Sequence, residues 1–452
     1  MRIAFFEDSG ASGFAPVALT RPVFDLVCGR FSLRERLCRG LGVSDWGAFI
    51  RPFLAESFQE ACPEAAVNDP DWLTEAPTLL INSRWLPSRE AFDQLTAADE
   101  SIAGFQGDTL AFLWIDPFET PLISDTDWSD PLLKIADTRL REETTGHVLS
   151  RPWNLIELNP DLLLQDFEHF TRRDLVSSQS FVTLTGEAGP GTDRRSLNPQ
   201  VAVQGNPELV FIHPLADIDP FVVIDARSGP VSIDAGVRVQ AFTRIEGPCH
   251  IGAGSQLFRA SVKAGTTIGP VCRIGGEIEA SIIHGYANKY HDGFLGHSYL
   301  CPWTNLGALT TNSDLKNDYS NVSVPLRGEA IASGSKKVGA FIGDHTRTAL
   351  CSLFNTGSSI GVMTMILPGG ELLPKHIPSF CRLWHGVIDD GLHLEAAIET
   401  SRRAMDRRDC ELTGPQERLL RTLYRMTARE RQAAIERQTL RNAGPSVSTL
   451  RD

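Results

Sequence analysis

The 452-residue sequence has no apolar run approaching the 18 or so residues that cross a bilayer. Its opening, Met1-Arg2-Ile3-Ala4-Phe5-Phe6-Glu7-Asp8, turns acidic too early for a secretory signal. A basic excess is missing too. The 43 Lys+Arg against 56 Asp+Glu give a net charge of −13, which argues against a general phosphate-backbone binder, although a local basic patch would survive it. Nor is there a disulfide pattern: nine cysteines, an odd number, run from Cys28 to Cys410 without a Cys-x-x-Cys pair, which fits reduced thiols. An ordinary 42% hydrophobic and 22% charged content argues against long-range disorder. The expectation is a soluble, cytoplasmic chain of about two to four domains, with neither nucleic acid nor membrane as a partner.

What is present in the middle of the chain is a repeat. Between about 216 and 378 an aliphatic residue or its substitute returns every six positions: Ile233, Val239, Ile245, Ile251 and Leu257, then a five-residue step to Val262, then Ile268 and Ile274. The series resumes at Ile342, Thr348, Phe354, Ile360, Ile366 and Leu372. A period of six fits neither a helix at 3.6 nor a strand at 2, and it is the hexapeptide signature of a parallel β-helix. Three hexads close one triangular coil, with the aliphatic residue inside and Gly at corners where φ can turn positive. At about 18 residues per coil the stretch predicts roughly eight or nine coils.

The flanks read differently. Residues 1–195 hold six of the eight tryptophans and alternate strand-like runs (Arg2 to Phe6, Thr78 to Asn82, Thr109 to Ile115) with polar helical stretches, as in an α/β domain. The Gly/Pro/Asp-rich passage from Gly186 to Asp193 reads as linker. After Pro378 the hexads stop, and Leu394 to Leu440 predicts two helices broken at Thr413-Gly414-Pro415. The expected divisions are an α/β domain at 1–195, a linker at 196–215, a β-helix at 216–380 and a helical segment at 381–452. From 401 to 441 there are 11 Arg against 6 acidic residues, which reads either as a solvated face or as contact with an anionic ligand or neighbouring subunit.

Between Ser281 and His297 the clean hexad is lost, and three of the eleven histidines (His284, His291, His297) fall within 14 residues. A repeat breaks cheaply only into a loop, and loops on rigid scaffolds carry reactive groups. A histidine there can accept a proton near neutral pH, can ligate zinc, or can be a plain surface residue. No acidic or cysteine partner sits at a spacing that favours zinc.

The runs Leu19-Thr20-Arg21-Pro22-Val23-Phe24-Asp25-Leu26, Ile81-Asn82-Ser83-Arg84-Trp85-Leu86-Pro87, His291-Asp292-Gly293-Phe294-Leu295-Gly296-His297-Ser298-Tyr299-Leu300 and Asn305-Leu306-Gly307-Ala308 carry a resemblance. Over about 400 residues the chain resembles the bifunctional N-acetylglucosamine-1-phosphate uridylyltransferase/glucosamine-1-phosphate acetyltransferase (GlmU-like) family, in its divergent sugar-nucleotidyltransferase branch. The resemblance implies a nucleotidyltransferase-like (Rossmann-like) α/β N-domain, a left-handed β-helix with C-terminal helices, a homotrimer, and acetyl-CoA-dependent N-acetylation of an amino sugar phosphate. Sugar-1-phosphate nucleotidyl transfer from UTP or dTTP, with Mg²⁺, is implied if the N-domain is active.

Residue by residue, the resemblance puts the family's catalytic histidine on His291, with His297 as runner-up. Lys263, Lys289, Asn305, Asn312 and Asp314 fall to substrate contacts; Asp314 stands where the family has an acetyl-contacting asparagine. The family's phosphate-contacting lysine falls on Glu279, a reversal of charge. In the N-domain, Ser9, Arg21, Asn82 and Arg84 are the candidate nucleotide contacts, with Arg21 and Arg84 reading equally well as residues that pack or pair within the fold. Arg84 stands where the family has its metal-holding aspartate, which leaves Asp8 and Asp25 as candidate ligands for Mg²⁺. Three functions stay open: acyl transfer with or without nucleotidyl transfer, nucleotidyl transfer with a β-helix that only trimerises the chain, and a non-catalytic sugar-nucleotide scaffold.

Overall fold

A computed structural model describes residues 1–97, 101–122, 128–171 and 197–442, so the linker expected at Gly186 to Asp193 lies outside the described residues. The chain divides into two units, 1–158 with 413–420, and 159–412 with 421–452.

The first unit is built on a seven-stranded mixed sheet. Its strands are β1 (Ile3–Phe6), β2 (Trp46–Phe49), β3 (Ala66–Val67), β4 (Thr78–Asn82), β5 (Ile102–Gln106), β6 (Thr109–Ile115) and β7 (Leu140–Glu143), in the order β7-β5-β6-β4-β1-β2-β3. β1 pairs in parallel with both β2 and β4, and every residue of the three strands is buried, as the unbroken apolar runs demand of a sheet covered on both faces. The chain leaves β1 toward β2 and β3 and later returns to β4 on the other side. The carboxyl end of β1 is therefore a topological switch point, where open α/β sheets bind ligands.

The second unit winds the hexads into the expected parallel β-helix with three stacked faces. Nine parallel strands, from Val210–Ile212 to His376–Ile377, form the first face. A second face stacks Arg238–Val239, the start of Gln256–Val262, the start of Arg273–Glu279, Asn288–Lys289, Asn305 and Arg347–Thr348. The third holds Arg244–Glu246, the ends of those two long strands, Phe294–Gly296, Thr311–Asn312 and Leu353–Phe354. Ile233, Ile245, Ile251, Ile268, Ile274, Ile342, Ile360 and Ile366 all point inward and are buried in one continuous core. Each such side chain contributes on the order of 1.5–3 kcal/mol of burial free energy. The five-residue step to Val262 is accommodated by a register shift between Phe258 and Ser261.

Several expectations need correction. Ala202–Gly205 and Val210–Ile212, inside the stretch expected as linker, already pair with Val223–Ala226 and Val231–Ile233 as rungs of the helix. The last hexad slips by one residue: Leu373 is buried and Leu372 is exposed. Glycine does not own the corners. Tyr286, Trp303 and His345 all have positive φ there and stack along one edge, Tyr286 on Trp303 at 4.5 Å and Trp303 on His345 at 6.3 Å between ring centroids. Gly269 and Gly275 serve instead where coils approach closely, since a Cβ on either would lie 1.9 Å from a carbonyl oxygen of the next coil. Among the described residues three C-terminal helices form rather than two, Leu394–Asp406, Gly414–Met426 and Ala428–Asn442, with the second break at Thr427. Among the described residues no helix is long and apolar enough to cross a membrane.

Candidate functional site

The histidine-rich coil is held by two polar residues that stand in inward columns. Lys289 follows Ile274 in its column and is 2% exposed; its Nζ donates to Gly275 O at 2.8 Å and to His291 O at 2.7 Å. Asn312 lies next to Leu295 and Phe354 and clasps Gly296 through both amide atoms, accepting from its N at 2.9 Å and donating to its O at 3.0 Å. Both were expected to touch substrate. Their polar ends are committed to main chain, where they fix the turn from Lys289 to His297.

At the corner between the third and first faces, His297 takes a positive φ of 47°. Its Nδ1 lies 2.8 Å from Asp314 Oδ2, one coil on. Burial alone would raise the Asp314 carboxyl, but the hydrogen bond and charge of His297, with the charge of Lys337, outweigh it and hold the group below its ordinary value. The ring is thus oriented by a carboxylate, the arrangement of a general base and its orienting partner. His291, matched to the base by resemblance, lies at another corner; it is exposed, and its ring meets Tyr290 edge-on at 4.8 Å. Of these two histidines, His297 is the one that lies against a carboxylate.

Beside the dyad runs a line of alternating charge. Lys263 pairs with Glu277 at 2.5 Å and with Glu279 at 3.4 Å, and Lys337 meets Glu279 at 3.0 Å. Burial would raise the Glu279 carboxyl, but Lys337, Lys263 and His297 together lower it. Lys263 is therefore answered by carboxylates already. Lys337 went unread in the sequence; it belongs to the excursion between Asn312 and Ala340, which includes the hairpin Ser323–Leu326/Glu329–Ala332 and returns with Val338 N bonded to Asp314 O. The Ser335-Lys336-Lys337 run inside a gap in the hexads was its only signal. Asn305, expected with the base, sits on the second face between Asn288 and Arg347 instead.

In the first unit, the loop after β1 is closed by its own side chains. Asp8 Oδ1 accepts from Arg84 Nε at 2.6 Å and from Gly10 N at 3.0 Å, while Oδ2 accepts from Arg84 Nη2 at 2.5 Å and from Asn82 Nδ2 at 3.0 Å. Burial would raise Asp8, and Arg84 and Asn82 more than offset it, so the carboxyl is held low. Glu7 receives Arg51 and the amide of Val23, and Arg51 also reaches Arg21 O at 2.9 Å. Arg21 Nη1 donates to Val17 O, and Ser9 is exposed at the head of the loop. Asp25 pairs with Arg34 at 2.6 Å. These residues do not fit a Mg²⁺ site: both Asp8 oxygens are taken, Asp25 is salt-bridged, and among the described residues no group of three or more His, Cys, Asp or Glu side chains is arranged to hold a metal.

Comparison with known proteins agrees with this two-part build. Residues 3–174 match the family described as sugar nucleotidyl transferase. A bifunctional sugar-1-phosphate nucleotidylyltransferase/acetyltransferase of Sulfurisphaera tokodaii is 36% identical over 93 residues, 21% of this chain and 23% of that protein. The uncharacterized acetyltransferase YaiX of Escherichia coli O6:K15:H31 (strain 536 / UPEC) is 31% identical over 157 residues, 34% of this chain and 63% of that protein. The chain is thus similar to sugar nucleotidyl transferases over residues 3–174 and, over shorter stretches, to proteins named as acetyltransferases. It spans less than two thirds of the length of either relative. Among solved structures, an Arabidopsis UDP-N-acetylglucosamine acyltransferase is 16% identical, covering 56% of this chain and 98% of its own, with a TM-score of 0.24 that establishes no shared fold.

Proposed function

We propose that this chain is a transferase whose β-helix moves an acetyl or other acyl group from CoA to the amine of an amino sugar phosphate. The observation that carries the reading is the His297–Asp314 contact at 2.8 Å, where the excursion that follows Asn312 begins. In this reading Asp314 accepts from His297 Nδ1–H, which leaves Nε2 as the acceptor. Nε2 takes a proton from the amine as its nitrogen attacks the thioester carbonyl. The C–N bond forms, the C–S bond breaks, and the leaving thiolate takes up a proton to give the CoA thiol. The relatives named as acetyltransferases support the class of reaction.

The test is release of free thiol from acetyl-CoA in the presence of glucosamine 1-phosphate and related amino sugar phosphates. Asp314→Asn should lower kcat with little change in the KM for acetyl-CoA, because in this reading the carboxylate acts by orienting the base. An absence of thiol release with every amino sugar phosphate would contradict the proposal.

The match of residues 3–174 favours a second activity, nucleotidyl transfer to a sugar 1-phosphate. Pyrophosphate release from UTP or dTTP supports it. No step is assigned to Asp8 or Asp25, because both are engaged by arginines. Tight binding of a sugar nucleotide without either release would favour a scaffold.

A further inference from the structure

Gly296 precedes His297 on the rung Phe294–Gly296 and lies next to Glu279 of the coil before. Leu295 points into the core, so Gly296 holds an outward position on the third face. The side chain it lacks leaves a definite space. A Cβ there would lie 2.5 Å from Asp314 Oδ2, 2.4 Å from Phe294 Cζ and 2.6 Å from Phe294 Cε1. That oxygen is the same one that lies 2.8 Å from His297 Nδ1. The carboxylate thus reaches the imidazole from the place a side chain would fill, and the edge of the Phe294 ring bounds that place.

The main chain around this seat is pinned. Asn312 accepts from Gly296 N at 2.9 Å and donates to Gly296 O at 3.0 Å. From the returning end of the excursion, Val338 N donates to Asp314 O at 2.8 Å and Gly339 N to His297 O at 2.9 Å. Gly339 comes so close that a Cβ on it would lie 1.9 Å from Gly296 O. Consecutive amides of one strand therefore hold the backbones of both members of the pair. Gly296 itself does not have a positive φ, so alanine meets no backbone strain there. It meets the side chains of Asp314 and Phe294, and these take up the change.

We propose that Gly296 and Phe294 are positioning residues for the His297–Asp314 pair, Gly296 by leaving the seat of Asp314 Oδ2 empty and Phe294 by walling that seat. The placement stands on geometry alone; its consequence for rate rests on the acyl-transfer reading. An aromatic edge carries the positive end of the ring quadrupole and suits a carboxylate beside it. A methyl group in the seat drives Oδ2 away from Nδ1, and the imidazole loses the partner that fixes its orientation. Misplacing a catalytic group by about 1 Å can cost on the order of 10²-fold in rate.

The experiment compares the full chain with Gly296→Ala, Phe294→Leu and Asp314→Ala by two readouts. The first is the Nδ1–H proton of His297, seen by NMR in chain carrying isotope-labelled histidine and assigned by its loss from His297→Gln. Wild type should show it. Gly296→Ala and Asp314→Ala should lose it to exchange with water, with the thermal unfolding of Gly296→Ala little changed, and Phe294→Leu should exchange it faster. The second readout is thiol release from acetyl-CoA with an amino sugar phosphate. Gly296→Ala should lower kcat by on the order of 10²-fold with the KM for acetyl-CoA little changed. In the Asp314→Ala background the same substitution should cost little more, because the contact is already gone. Wild type that releases no thiol, while Gly296→Ala still loses the proton, would overturn the acyl-transfer reading and support the positioning. Absence of the proton from wild type, its persistence in Gly296→Ala, or fully additive losses of kcat would each overturn the positioning. If Gly296→Ala does not fold, Phe294→Leu decides, and unchanged proton exchange there overturns it.

Discussion

Lys289 occupies an inward position that the hexads give to aliphatic residues, and burial brings its ammonium down to about 8 from 10.5. Below about pH 8 the folded chain bears the full cost of that buried charge, on the order of 3 kcal/mol. Between the two values the unfolded chain binds more protons than the folded one, so this group makes stability rise with pH through that window. Lys289→Met should remove the effect. Stability of wild type relative to Lys289→Met, measured by urea unfolding, should climb by up to about 3 kcal/mol from roughly pH 7.5 to pH 10; a flat difference would contradict the burial. At Gly10, a Cβ would lie 2.4 Å from Arg84 Cζ, and Arg84 cannot retreat while its Nε and Nη2 hold Asp8 and its Nη1 holds Leu149 O. Gly10→Ala should therefore cost about 1–3 kcal/mol, whereas Gly10→Ala without loss of stability would mean that Arg84 is free to move.

For the elements, the hexads announced the β-helix because a buried aliphatic column leaves a period of six. The same pattern misplaced the break: the stretch from Ser281 to His297 forms regular rungs at Ile282–Ile283, Asn288–Lys289 and Phe294–Gly296, and the excursion lies between Asn312 and Ala340. It failed at Leu372, where neighbouring leucines offer two registers and only packing against the coil below chooses Leu373. Leu373→Ala should cost about 2–5 kcal/mol and Leu372→Ala less than about 0.5 kcal/mol; equal costs in chemical denaturation would contradict the register. The site was less legible for a definite reason. Motif matching counts along the chain, and the proposed base and its partner meet by stacking, which brings Asp314 onto His297 from 17 residues away. Glu279 and Lys337, 58 residues apart, meet only because the excursion returns to its own coil. Lys289 and Asn312 looked like ligands because they are polar residues near a motif, yet their columns turn them inward.

At the scale of the whole molecule, the corner between the second and third faces carries Tyr290, Leu309 and Leu350, exposed at 37%, 55% and 64%. Apolar side chains at one corner of a β-helix invite a second copy of the same chain, and a threefold homotrimer is the assembly we propose. Light scattering at micromolar concentration should give three times the chain mass, and a monomer there would contradict it. His291 shares this corner, so its replacement should disturb assembly more than chemistry. The measurement that bears most directly on the account is the paired kinetics of His297→Ala and His291→Ala in acyl transfer. The account predicts a loss on the order of 10²–10⁴-fold in kcat for His297→Ala, the usual contribution of a general base, with His291→Ala retaining turnover. Full activity of His297→Ala, or loss confined to His291→Ala, would contradict it.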